Sequence, residues 1–132
     1  MQNKKLTYII SVSSLLFFIL NANLDRASAQ AFDLTGTWSS DDNSTYFMRQ
    51  IGNEIWWFGM SNEPPIGFSN VFHGTIIDNT IIGNWIDIPP GISNGSGTLK
   101  LIIQSDGNIH KVAVIPSIPT GGYGASVWNK IK

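Results

Sequence analysis

The sequence contains no cysteine. That excludes disulfides, lipid attachment at an N-terminal cysteine and thiolate metal sites. Histidine occurs only at His73 and His110, and glutamate only at Glu54 and Glu63. Two distant histidines do not make a zinc set. Asp41-Asp42-Asn43 offers oxygen ligands, but without the spacing of a calcium loop, and reads as a solvated turn. No glycine-rich loop follows a strand and opens a helix, so no nucleotide site is expected. Neither histidine stands in a recognisable motif with a serine or carboxylate. A triad need not be local in sequence, but this inventory predicts a non-catalytic protein with no cofactor and no metal.

Charge is also scarce. Residues 30–132 carry Arg49, Lys100, Lys111, Lys130 and Lys132 against eight carboxylates, a formal −3. There is no basic patch, so nucleic acid is not an expected partner. There is no polybasic run for an anionic membrane. After residue 29 no segment repeats apolar residues at i, i+3, i+4 and i+7, so no helix is predicted there.

The N-terminus has its own pattern. Lys4 and Lys5 precede an apolar run, Leu6–Leu20, and Ala27-Ser28-Ala29 follows. A basic region, an apolar region and a small-x-small site make a secretory signal peptide over residues 1–29, cleaved between Ala29 and Gln30. The run falls short of the ~20 residues a spanning helix needs. Residues 30–132 then form one domain with no membrane span, secreted or periplasmic. An exported chain without disulfides fits a bacterial envelope better than a eukaryotic secretory route. Asn43-Ser44-Thr45 and Asn94-Gly95-Ser96 match glycosylation sequons, which in a bacterium carry no meaning.

What the domain has is alternation. The richest stretch is Tyr46–Met60, YFMRQIGNEIWWFGM, two aromatic runs about Gly52-Asn53. Gly-Asn between such runs predicts a hairpin with a II′ turn. Leu34–Ser40 precedes it, and Ser61–Ser69 follows as a proline-containing loop. Asn70–Ile77 and Thr80–Ile88 pair about Asp78-Asn79. Gly97–Ser105 and Ile109–Ile115 pair about Ser105–Asn108, where Asp-Gly signals a type I′ turn. Pro116–Gly122 is a loop, and Gly124–Ile131 closes the chain. Eight short strands with sequential neighbours paired predict an all-β, antiparallel, up-and-down barrel. A two-sheet sandwich is the alternative.

Asp33–Tyr46, DLTGTWSSDDNSTY, resembles the opening strand of the avidin/streptavidin family, and Ile82–Leu99 is similar to that family's middle. The Gly-x-Trp at Gly36–Trp38 is shared with lipocalins. The resemblance implies a calycin-like barrel in which Trp38 plugs one end and Gly36 leaves room for it. Ser44 matches the family's ligand-binding loop serine, and Ser40 stands where it has a ligand-binding asparagine. Gly59 falls near the position of its ligand-binding tyrosine. The later tryptophans are missing, since Leu99–Gln104 reads LKLIIQ, so tight biotin binding is not expected. The chain is also similar to small exported bacterial proteins of no assigned role.

Parity assigns the faces. Strand side chains alternate, so inward Trp38 and Ser44 put Tyr46, Met48 and Gln50 inside. On the next strand Ile55, Trp57 and Gly59 go inside, which leaves Glu54 in water. Ser40, Ser44, Tyr46, Trp57 and Asn84 are the expected lining of one barrel mouth. Asp87 shares a face with Trp85 and offers an anchor for a polar ligand. Phe47, Trp56 and Phe58 face out as a candidate interface. Two functions follow: a non-catalytic binder of a small molecule or short glycan, or an envelope protein assembling as a homo-oligomer through its outer aromatic face. A void at the Tyr46/Trp57 end favours the first and a filled interior the second.

Overall fold

The computed structural model describes residues 32–117 and 122–132. The signal-peptide assignment lies outside them. Eight strands follow in order: β1 (Gly36–Ser40), β2 (Ser44–Ile51), β3 (Glu54–Ser61), β4 (Ser69–Ile77), β5 (Thr80–Asp87), β6 (Ser96–Ile103), β7 (Ile109–Pro116) and β8 (Val127–Lys130). Each pairs antiparallel with its neighbour, and β1 pairs with β8, so the sheet closes into a barrel. The architecture is the expected up-and-down one, compatible with a calycin-like fold.

Turn chemistry sets the register. Gly52 takes φ +59° and Asn53 has no positive φ, as a II′ turn requires. The expected type I′ turn at Asp106-Gly107 does not form. That turn needs positive φ at both central residues, and only Gly107, at +88°, has it. Instead Gly107 N–H donates to Gln104 C=O at 2.9 Å, and Gln104 N–H to Asn108 C=O at 2.8 Å. The turn starts one residue earlier and the loop is longer. The first and last strands are also shorter than the alternation implied. Residues 34–35 and 124–126 lie outside the strands, although Ser126 C=O still accepts Lys111 N–H at 2.8 Å.

Inward positions alternate large and small. The core holds Trp38, Tyr46, Trp57, Phe72, Trp85, Tyr123 and Trp128, with Leu34, Ile55, Ile81, Leu99, Leu101 and Ile109. Trp57 stacks on Phe72 with centroids 3.9 Å apart, and Tyr46 meets both Trp57 and Trp128 edge to face. Glycines face these rings. A Cβ at Gly59 would lie 2.3 Å from Tyr46, and one at Gly97 would lie 2.6 Å from Trp85. The middle of the barrel is therefore filled with side chains, as eight-stranded interiors can be.

Trp38 is 1% exposed, and its indole N–H donates to Leu34 C=O at 2.9 Å. Gly36 does not make room for that ring. A Cβ there would lie 2.0 Å from the Lys132 carbonyl oxygen, and φ is +148°. Glycine at 36 lets the C-terminal backbone cross the start of β1.

Candidate functional site

The filled core stops short of one end. There the β1–β2 turn, the β3–β4 and β5–β6 loops and residues 122–124 surround a pocket of about 170 Å³. Its lining includes Asp42, Tyr46, Phe68, Asn70, Asp87, Ser93 and Tyr123.

The floor is a buried polar network. Asn70 follows from β4 parity: Phe72 points in, so residue 70 does too. It is only 2% exposed. Its Oδ1 accepts the Trp57 indole N–H at 3.0 Å and a longer contact, 3.5 Å, from the Tyr123 hydroxyl. Tyr123 also donates to the Tyr46 hydroxyl at 3.1 Å. Burial raises the pKa of both phenols, with the Asp42 charge adding to it, so both stay protonated at neutral pH. The Trp128 indole nitrogen is the one fully buried side-chain polar atom among the described residues that lacks a well-formed hydrogen bond.

The walls are braced by side-chain bonds to backbone. Ser69 Oγ donates to Ile88 C=O and accepts Gly91 N–H at 2.8 Å. Ser93 Oγ donates to Gly67 C=O at 3.0 Å. The β3–β4 and β5–β6 loops thus hold each other. Asp87 sits between them, and its Oδ2 accepts Gly95 N–H at 2.8 Å. Desolvation nevertheless pushes the Asp87 carboxyl above the usual range, and the Gly95 bond only partly offsets it. Across the pocket, Ser40 Oγ donates to Asp42 Oδ1.

Of the expected mouth residues, Tyr46 lines the pocket. Trp57 lies behind Asn70, and Ser40 behind Asp42. Ser44 is fully buried and donates only to Asp42 C=O, at 3.5 Å. Asn84 is not in the mouth. On β5 the odd residues Ile81, Gly83 and Trp85 point in, so Asn84 points out, where it accepts from Thr98 Oγ1 at 2.8 Å. Asp87, raised earlier as a polar anchor, is in the pocket. Asn70, Asp42, Phe68, Ser93 and Tyr123 were missed. Parity could have found Asn70; Tyr123 sits in a Pro/Gly loop that carries no periodic signal.

The three interface candidates lie on the outer surface. Phe47 is 50% and Trp56 39% exposed, and Phe58 is half-buried. Trp56 stacks against His73 on β4, centroids 4.6 Å apart and planes 11° from parallel. His73 Nε2 pairs with Glu54 Oε2 at 2.6 Å. Neighbouring strands are spaced about 4.8 Å, so the two rings stack along the inter-strand direction and stand edge-up. They do not present a flat aromatic platform.

Comparison of the chain with protein-family models, with curated proteins and with solved structures returns no match.

Proposed function

We propose that this protein is a non-catalytic binding protein that takes a small molecule in the open end of its barrel. The observation that carries the reading is the pocket itself, lined by a nearly buried amide and two buried phenols above a filled core. These groups bond to one another, and the hydrogen-bonding capacity that Asn70 and Tyr46 have left over faces the pocket. Aromatic walls with a few convergent polar groups are the usual composition of a small-ligand site.

Size narrows the ligand. Drug-sized ligands occupy roughly 300–1,000 Å³, whereas a dry cavity of about 150 Å³ holds one benzene. A volume of about 170 Å³ fits one ring, so a longer glycan enters by one terminal residue only. The avidin- and lipocalin-like sequence features support the same use of a barrel mouth, though not the same ligand. In this reading the chain is exported and cleaved after Ala29.

A second reading rests on the outer row Phe47–Phe58–Val71–Ile86. These are register partners across four strands, and Phe47 and Ile86 are half exposed. Such a stripe supports self-assembly.

Native mass spectrometry of the protein purified from its own host tests all of this at once. The expected spectrum is a chain starting at Gln30 with one bound small molecule, lost on denaturation. A ligand-free monomer would count against binding. A ligand-free oligomer would favour the outer face.

A further inference from the structure

The charges and hydrogen-bond groups of the pocket narrow the ligand class, given that the open end is a binding site. Two carboxylates, Asp42 and Asp87, line it, and none of the described lining residues is basic. Lys111 lies beside it, near enough for its charge to act on Asp42. Its Nζ is committed to the Tyr123 carbonyl at 2.6 Å and lies 5.9 Å from that ring's centroid, outside the lining. A cleft lined by one sign of charge concentrates the opposite sign. Tyr46, Phe68 and Tyr123 add aromatic surface, which also favours a cation. An anion entering here would lose its hydration and face two carboxylates.

The floor asks for something else. At the floor the Trp57 N–H and the Tyr123 O–H already have acceptors, whereas the Tyr46 O–H and the Asn70 amide N–H groups form no hydrogen bond among the described residues. Donors are in surplus at the inner end. Asp87 is the reverse: among the described residues only the Gly95 N–H reaches its carboxylate, which leaves acceptor capacity unused. A matching ligand therefore turns oxygen acceptors toward Tyr46, Asn70 and Tyr123 and a charged N–H donor toward Asp42 and Asp87.

We propose that the pocket selects a protonated, single-ring amine that also carries hydroxyl groups, of the size and chemistry of an amino sugar. Recognition is by Asp42 and Asp87 at the rim and by the donor-rich Tyr46/Asn70/Tyr123 floor.

Three probes of one ring and nearly one size test this by calorimetry on the purified protein at neutral pH: glucosamine, glucose and glucuronate. Glucosamine is expected to bind about tenfold or more tighter than glucose, with the preference shrinking as salt screens the rim. Glucuronate is expected not to bind. In the isosteric variant carrying Asp42→Asn and Asp87→Asn together, the preference for glucosamine over glucose should vanish while the circular dichroism spectrum stays that of the parent. Glucose or glucuronate binding as tightly as glucosamine would overturn the cationic class and leave the binding site standing. Binding by none of the three, with no small molecule in the native mass spectrum, would overturn both. A preference that survives in the double variant would remove the carboxylates from recognition.

Discussion

Trp56 and Trp57 are chemically identical neighbours with opposite fates, and sheet parity alone separates them. Trp57 is 3% exposed between Phe72, Tyr46 and Trp128, with its indole N–H bound to Asn70. Trp57→Ala should cost roughly 3–5 kcal/mol in urea unfolding, through lost burial and a cavity. Trp56→Ala, on the outer face, should cost within about 1 kcal/mol. The opposite ranking would overturn the inside/outside assignment.

Asp87 makes a residue-scale prediction of the other kind. Its carboxyl is raised by desolvation, so between the unfolded and the folded value the native state holds a proton that the unfolded chain has already released. Its contribution to stability is fully present below the unfolded carboxylate pKa and is lost as pH rises through the folded value. Asp87→Asn should therefore melt higher than the parent at neutral pH, with the gap closing as pH falls below the ordinary aspartate range. A variant less stable at neutral pH would make Asp87 a structural residue rather than one kept for a ligand.

At the scale of elements the barrel is unevenly sealed. The neighbouring pairs from β2 to β7 each register seven or eight residues, whereas β7 and β8 share only Ile109↔Trp128 and His110↔Val127. A bulge at Val112, between Lys111 and Ala113, turns the far half of β7 away. Asp41 compensates in part. Burial works against its carboxylate, but N–H donation from Ser126 and Val127 outweighs this and holds its pKa down. Asp41→Ala should thus leave β2–β6 amides protected and speed hydrogen exchange in Val127–Lys130. Uniform exchange across all strands would show that β8 does not open separately. The sequence carried little of this. Alternation located β2 to β6 because their turns are short and their inner faces are unbroken. β8 read as twice its length because Ala125 is buried without pairing in the ladder. The pocket lies in loops and strand ends, where Tyr123 and Ser93 have no period to reveal them. Parity with Phe72 makes Asn70 inward, and parity with Trp85 makes Asn84 outward rather than part of the mouth.

At the scale of the molecule, one sheet supplies both a solid interior and a shaped end. Inward glycines give aromatic rings space in the middle, and among the described residues the loops at one rim stop short of covering the last polar layer. Closure joins the first strand to the last. Thr37 N–H donates to Lys132 C=O at 3.0 Å, Ile131 N–H returns to Thr37 C=O at 2.7 Å, and Gly36 is the residue small enough to let that backbone pass. Every strand from β2 to β7 can find a sequence neighbour early, but β1 has its second partner only when β8 arrives. A chain still being made therefore carries β1 with one side of its backbone unpaired until β8 has been made. Closure is thus the last pairing the chain makes, and until then β1 presents an open edge to any other strand it meets.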